Sequence, residues 1–149
     1  MFRLGRDAAI SDVEFELNRM SAIRLMGASI KIPRRGESIA SITQAESVHI
    51  GGIGSSAING MTLMGLADAA MCAAVLSLAQ SRRCATVNFS APFLRPSFKA
   101  PIHARGVILK FDGDLCVCRS QVQDRSGRKT VEAEATIQLV RRGTTNDES

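Results

Sequence analysis

The feature that most constrains this chain is a long segment that carries almost no charge. From Ser47 to Ser81 the sequence has one formal charge, that of Asp68, and is otherwise rich in Gly, Ala, Ser, Met and aliphatic residues. Residues 61–80 predict one long helix that is apolar nearly all round. Because one face of a flat sheet cannot cover such a helix, the segment favours a curved antiparallel sheet wrapped around it. A second subunit would cover the surface that remains.

The single acid of this helix is the first candidate for a functional residue. An unpaired buried carboxylate commonly costs several kcal/mol, and the usual response is a raised pKa. An acid kept in the most apolar helix is therefore either hydrogen-bonded for structure or used for chemistry, and both settings perturb carboxylates. For Asp68 the alternatives are a catalytic group and a structural acid bonded to serine or backbone groups.

Composition limits the other kinds of site. The four cysteines form no CxxC pair and there are two histidines, His49 and His103, so no metal site is expected. The cysteines are Cys72, Cys84, Cys116 and Cys118. Their simplest interpretation is as small buried thiols in a reducing cytoplasm. His103, which alternates with Arg105 along a strand pattern, is expected at the surface.

The 149 residues fit one domain, with residues 1–20 as a helical N-terminal extension and 142–149 as a flexible tail. The N-terminus shows no signal-peptide pattern, so a cytoplasmic location is expected. Residues 61–80 are about long enough to cross a bilayer. Their Ala and Gly content and the central Asp68 favour a buried core helix, without membrane insertion.

The net charge of +5 favours an anionic partner. Nucleic acid is not expected, because the basic residues are dispersed and the chain has no Trp or Tyr to stack on bases. A phosphorylated small molecule fits this charge, as does a generally basic solvated surface.

Hydrophobic periodicity predicts an α+β domain built around the central helix. Before that helix we expect a helix over 7–20, strands over 23–32 and 38–50, and a loop over the Gly/Ser-rich residues 51–60. After it come four strands, over 86–90, 102–110, 115–124 and 131–139. Tight turns between the later strands require antiparallel pairing.

Two segments give this pattern a family resemblance. The string NGMTLMGLAD, residues 59–68, resembles the helix-start motif of the PaaI-like acyl-CoA thioesterases, in which an Asp follows a His by nine residues. The string TVNFSAPFLRP, residues 86–96, resembles the next strand of that family. The resemblance covers about residues 40–140 and implies the hotdog fold, a curved antiparallel sheet around a long helix. It also implies a homodimer or homotetramer.

The resemblance implies four catalytic residues. Gly60 would offer its backbone N–H to the thioester carbonyl, and Asn59 would orient that carbonyl or a water. Asp68 would act from the partner subunit's helix as general base or nucleophile, and Thr86 would position the water. Asn59 stands where well-known members have His, and Met61 replaces a Gly. The ordinary alternatives are an N-cap and turn pair for Asn59 and Gly60, and a simple strand former for Thr86.

The implied substrate is an acyl-CoA, with an aryl or a medium to long acyl group, and no cofactor is needed. By family position Asn88, Arg95, Ser97 and Lys110 would line the path of the nucleotide or pantetheine, with solvated strand-end groups as the alternative. A hotdog dehydratase is disfavoured because neither histidine stands at the helix entry. The remaining alternative is a non-catalytic protein that binds acyl-CoA or regulates another.

Overall fold

A computed structural model describes residues 9–52, 55–78 and 83–140 of the chain. The helices are α1 (Ile10–Arg19), α2 (Ser21–Leu25) and α3 (Gly60–Leu78), with a 3-10 turn at Ser47–His49. The strands before α3 are β1 (Ser29–Arg34), β2 (Glu37–Ile42), β3 (Ile50–Gly52) and β4 (Ser55–Ile58). The strands after α3 are β5 (Arg83–Ser90), β6 (Ile102–Asp112), β7 (Leu115–Gln123) and β8 (Lys129–Val140).

Six of these strands form one antiparallel sheet in the order β1-β2-β6-β7-β8-β5, and β3 pairs with β4 in a small separate ribbon. Helix α3 lies across the inner face of the large sheet, where Leu66, Ala70 and Met71 are fully buried. This helix is long and apolar enough to cross a membrane by length and composition, yet 61% of its apolar stretch is buried inside the protein. The sheet therefore accounts for the apolar composition of the helix.

A row of small residues lets α3 approach the sheet closely. Gly106 of β6 lies between Ser38 of β2 and Ser120 of β7 in the strand register. A Cβ added at Gly106 would lie 2.5 Å from the carbonyl carbon and oxygen of Ala70. The Ser38 hydroxyl donates a hydrogen bond to that same Ala70 oxygen. The helix thus sits on the backbone of β6, and this contact sets its position over the sheet.

Helix α1 covers the outer edge of β1. The side-chain amide of Asn18 pairs with both backbone groups of Ile30, donating to its oxygen over 2.9 Å and accepting from its N–H over 2.8 Å. Glu14 accepts the N–H of Ile32, two residues along the same edge. These side chains take the hydrogen bonds that a further strand would make. At the other end of the sheet, β5 has no strand on its outer side among the described residues.

The predictions for the second half of the chain are confirmed. Helix α3 begins one residue before the predicted segment and is described to Leu78, and four antiparallel strands follow it. The apolar positions of the last strand face the core, from Val131 to Leu139. The predicted tail at 142–149 lies outside the described residues. So do residues 7 and 8, at the start of the predicted first helix.

The predictions before α3 were partly wrong. Residues 21–25 form a helix because the chain closes it with a Schellman arrangement: Gly27 adopts φ 64°, and the N–H groups of Gly27 and Ala28 bond the oxygens of Arg24 and Ile23. The second predicted strand ends at Ile42. The predicted loop at 51–60 contains most of the β3–β4 ribbon, because backbone pairing of Ile50 with Ile58 does not depend on strand-forming side chains.

Candidate active site

The start of α3 is fixed by Asn59, which acts as its N-cap. Asn59 Oδ1 accepts the N–H of Thr62 over 2.9 Å, and its Nδ2 donates to the oxygen of Val48 over 2.9 Å. Its own N–H donates to the oxygen of His49 over 2.8 Å. The structure thus shows the N-cap arrangement that the sequence left open for this residue. A role of Asn59 toward a substrate carbonyl stays a prediction.

His49, whose backbone oxygen accepts the N–H of Asn59, is itself held by two hydrogen bonds of its ring. Its Nδ1 accepts the N–H of Glu46 over 2.9 Å, and its Nε2 lies 2.8 Å from the oxygen of Met26. These partners fix the neutral tautomer with the proton on Nε2, since Nδ1 must accept and Met26 must receive a donor. The buried His49 is therefore a structural residue that joins the end of α2 to the entry of α3. The other histidine, His103, is exposed as expected.

Gly60, the first residue of α3, lines a cavity of about 380 Å³. The other residues of this cavity are Ala57, Ile58, Leu63, Phe93, Leu94, Arg95 and Pro96. The first N–H groups of a helix lack intrahelical acceptors and lie at its positive end. A Cβ at Gly60 would be 3.4 Å from the Phe93 ring, so the missing side chain leaves this space open. The cavity thus joins a helix N-terminus, apolar walls and one guanidinium.

Asp68 is hydrogen-bonded to Thr86. The Thr86 hydroxyl donates to Asp68 Oδ1 over 2.7 Å, and both side chains are half-buried. Position 68 lies on the side of α3 that faces β5, and Thr86 lies on the inner face of that edge strand, opposite Ile137 of β8. The structure therefore brings together two of the four predicted catalytic residues. A carboxylate held by a hydroxyl can receive a proton from water or attack an acyl carbon.

Two thiols, those of Cys72 and Cys84, lie near the Asp68 carboxylate. The sequence did not predict this proximity. Cys72 Sγ lies 3.9 Å from Asp68 Oδ1 and 3.6 Å from Thr86 Oγ1. A hydrogen bond from the Cys84 thiol lowers the pKa of Cys72, against the opposing effects of burial and Asp68. The same bond and burial raise the pKa of Cys84 far above its ordinary range.

The four predicted substrate contacts do not lie on one surface of the subunit. Arg95 lines the Gly60 cavity. Ser97 is 1% exposed. Its backbone oxygen accepts the N–H of Ile58, whereas its side-chain Oγ has no hydrogen-bond partner among the described residues. Ser97 is therefore closed off from solvent within one subunit, and its contact with a substrate stays a prediction. Asn88 is exposed beyond a bulge in β5 and faces away from the core, opposite Thr136.

Lys110 is exposed near the hairpin end of β6, on the side of the sheet where α3 ends. Gly36 marks this end, since its N–H bonds Ser77 Oγ and its oxygen accepts the N–H of Ile108. Lys110 is therefore remote from Gly60 within one chain, and a contact with the same ligand would have to come from another subunit. No group of three metal-ligating side chains occurs among the described residues.

Several solved structures with the same fold are described as thioesterases or as members of the thioesterase superfamily. A thioesterase family protein from Silicibacter pomeroyi is 20% identical and superposes with a TM-score of 0.77, over 86% of this chain and 95% of its own. A thioesterase from Haemophilus influenzae is 16% identical, with a TM-score of 0.76 over 90% and 92%. The E. coli PaaI protein from the phenylacetic acid degradation operon is 15% identical, with a TM-score of 0.76 over 92% and 99%.

No family model matches the chain, and no curated protein matches it in sequence. At these identities the structural similarity defines the fold. The predicted hotdog fold, with its resemblance to PaaI-like proteins, is therefore confirmed.

Proposed function

We propose that this protein is an acyl-CoA thioesterase, which hydrolyses an acyl-CoA to a free acid and CoA. The observation that carries the proposal is the Thr86–Asp68 hydrogen bond on the most apolar helix of a hotdog fold. A glycine at the start of that helix, open to a cavity, supplies the second element that acyl transfer needs. A reducing cytoplasm is the location that suits its four free thiols.

The proposed reaction begins with the thioester carbonyl at the N-terminus of α3. The Gly60 N–H would stabilise the negative charge that develops on the carbonyl oxygen, an effect typically worth about 2.7–4 kcal/mol for one donor. Asp68 would take a proton from water as the water attacks the acyl carbon, or would itself attack and form an anhydride that water then opens. Thr86 would hold the carboxylate and the water, and CoA would leave as the thiol.

Within one subunit, the Gly60 N–H and the Asp68 carboxylate are too far apart to act on the same carbonyl. Eight residues separate Gly60 from Asp68 on the same helix, a rise of about 12 Å at 1.5 Å per residue. A single carbonyl cannot touch both groups across that distance. The proposal therefore includes a homodimer, or a homotetramer built from it, in which Asp68 of one subunit faces Gly60 of the other. The uncovered edge of β5, which carries Thr86, supports this assembly.

The cavity suggests where the parts of the substrate lie. Leu63, Phe93 and Leu94 give it apolar walls, which suit an aryl or a medium to long acyl group. Arg95 at its rim is the described cation best placed for a CoA phosphate. Lys110 lies at the opposite end of α3 in the same chain, so it would reach the same phosphates only from the partner subunit.

A non-catalytic acyl-CoA-binding protein is the second candidate. The observation that favours it is that both polar atoms of the Asn59 amide are used by Thr62 and Val48. In addition, the Asn59 amide does not titrate, so it cannot transfer a proton at the helix entry, where resembling enzymes have His.

The test is a panel of acyl-CoA thioesters with a thiol reagent, together with calorimetric binding of the same ligands. Thiol release that is lost in Asp68→Asn supports the esterase. Binding without release supports the second candidate. Arg95→Ala should raise KM more than it lowers kcat, with an effect that shrinks in high salt. Lys110→Ala should do the same if Lys110 of the partner subunit reaches the CoA phosphates.

Mixed dimers test the shared site. An Asp68→Asn chain paired with a Gly60→Leu chain contains one site with both groups intact and one site with neither. About half of the wild-type activity should return in the purified mixed dimer if the site spans two subunits. If each subunit holds a whole site, both sites are defective and no activity returns.

A further inference from the structure

The carboxylate of Asp68 has two thiols beside it, one on each of the elements that meet there. Cys72 lies one turn after Asp68 on the same side of α3. Cys84 lies two residues before Thr86 on the same face of β5, with Leu139 opposite it in the register. Cys84 has the largest influence on the pKa of Cys72, and Cys72 Sγ lies 3.6 Å from Oγ1 of Thr86, the next inward-facing residue of β5 after Cys84. Four side chains thus form one cluster between helix and strand: Asp68, Cys72, Cys84 and Thr86.

The other two cysteines have a different environment. Cys116 and Cys118 are fully buried on the inner face of β7. Burial raises the pKa of Cys116, and burial together with the neighbouring thiols raises the pKa of Cys118 to about 12. Cys72 and Cys84 are half-buried. A thiolate is the reactive form of cysteine, so we expect reactivity in this chain to begin at Cys72, the thiol whose pKa is lowered.

We propose that Cys72 and Cys84 are an oxidisable thiol pair, which closes to a disulfide and thereby disrupts the adjacent Asp68–Thr86 hydrogen bond. The effect on turnover rests on the proposed function, whereas the modification itself does not. The agent would be a small oxidant such as hydrogen peroxide. This assignment differs from that of four inert buried thiols, which holds for Cys116 and Cys118.

The reaction proceeds in two balanced steps. The Cys72 thiolate attacks one peroxide oxygen and the O–O bond breaks. A sulfenic acid forms, and the hydroxide that leaves takes up the proton released by the Cys72 thiol to give one water. The Cys84 sulfur then attacks the sulfenic sulfur, the S–S bond forms, and the second water leaves with the Cys84 proton. The two sulfur atoms together lose two electrons, which reduce the peroxide. A dithiol reagent reverses the change by thiol–disulfide exchange.

The bond would alter the site because of where its ends lie. A disulfide holds its sulfur atoms at about 2.05 Å, closer than any hydrogen-bonded thiols. Closing that distance draws Cys72 of α3 toward Cys84 of β5. Asp68 and Thr86 lie next to those ends, and the 2.7 Å bond between them depends on the spacing of the same two elements. The oxidised protein should therefore lose its positioned carboxylate while keeping its fold.

The experiment treats the full-length wild-type protein with hydrogen peroxide and follows both linkage and turnover. Peptide mapping without reduction should find a Cys72–Cys84 link, with a mass lower by two hydrogens. Thioester turnover should fall at least tenfold and recover with dithiothreitol. Cys84→Ser should retain basal turnover and resist the oxidant, and Cys72→Ser serves the same purpose if that variant folds poorly. Cys118→Ser is the matched control, which should stay as sensitive as the wild type.

Each outcome decides the matter. Peroxide that leaves both thiols free, or links other cysteines, overturns the thiol pair. A complete Cys72–Cys84 link with unchanged turnover overturns its effect on the site. If the reduced protein hydrolyses no thioester, the proposed function fails, and the peptide map still decides whether the pair forms.

Discussion

The hydroxyl of Thr86 donates a hydrogen bond of 2.7 Å to Oδ1 of Asp68. This bond answers the question that the sequence raised about an acid in an apolar helix, because the carboxylate is paired with a neutral donor. The hydroxyl brings no positive charge to the carboxyl group, unlike a Lys or Arg partner. Asp68 is therefore satisfied as an acceptor and still available as a base or nucleophile.

The first prediction concerns Asp68→Asn. The Asn side chain has nearly the same shape, and its oxygen can still accept the Thr86 hydroxyl, so the fold should be kept. Hydrolysis should fall by about 10²-fold or more, the usual scale for losing a positioned base. Melting temperature and turnover are measured on the same preparation. A clearly lower melting temperature with turnover retained in the folded fraction would instead identify a structural acid.

The second prediction concerns Thr86. In Thr86→Val the hydroxyl is replaced by a methyl group of similar size, so Asp68 loses its donor and turnover should fall at least tenfold. Thr86→Ser keeps the hydroxyl and should restore most of the rate. The two variants also separate a positioning role from a packing role through the pH dependence of kcat. Val should shift that profile and Ser should not. Equal rates in both variants would remove Thr86 from the mechanism.

The third prediction concerns the contact between α3 and the sheet. In Gly106→Ala the new methyl group would lie 2.5 Å from the backbone of Ala70, so helix or strand must move. We expect a loss of about 3 kcal/mol in the free energy of unfolding, at the upper end of the range for overpacking. Gly52→Ala is the control, since a Cβ there meets nothing within 4 Å. Denaturant unfolding measures both, and equal stabilities would contradict the close approach.

The sequence predicted what depends on composition and periodicity. The uncharged segment around Asp68 predicted the central helix, and the alternation from Val131 to Leu139 predicted the last strand. The family resemblance placed Gly60, Asp68 and Thr86 in one chemical scheme. The helix and the strand are confirmed because a helix face or a strand face is defined by residues a few positions apart, whereas the chemical scheme stays a prediction.

The rest depends on which faces meet. The sequence placed Cys72 on the central helix but left Cys84 outside the predicted strand, and no local pattern contains the packing of β5 on α3 that brings the two elements together. Gly106 in a strand pattern gave no sign that Ala70 lies against it. The short helix α2, which Gly27 closes, was not predicted because its five residues are apolar enough to suit a strand.

The fourth prediction concerns assembly. Because α1 covers the edge of β1 through Asn18, the edge of β5 is the sheet edge that no described strand covers, and we expect a second chain to pair there. The wild type should have at least twice the chain mass by light scattering at micromolar concentration. Val87→Lys places a charge on this edge strand and should shift the protein toward monomer with loss of turnover. Val117→Lys on the outer face of β7 is the control and should keep the wild-type mass. A monomeric wild type would refute the shared site.

The last prediction concerns acid stability and the β7–β8 turn. Asp124 is buried, which raises its pKa, but the N–H groups of Arg128 and Ser126 and the Arg128 guanidinium outweigh burial and hold the pKa below its ordinary value. Asp124 Oδ1 accepts those N–H groups over 3.0 and 2.8 Å. The folded state therefore binds this proton less tightly than the unfolded chain, whose Asp pKa is about 3.9.

The sign follows from proton linkage. The contribution of Asp124 to the free energy of unfolding is complete above the unfolded pKa and is lost as the pH falls through the lower folded pKa. Asp124→Asn should remove that contribution, so its stability should be lower than that of the wild type at neutral pH and should fall less steeply between about pH 5 and pH 2. Asp112→Asn, at an exposed hairpin position, makes the same charge change and is the control. Urea unfolding across this pH range measures all three proteins, and parallel acid slopes for Asp124→Asn and the wild type would contradict the role of the turn.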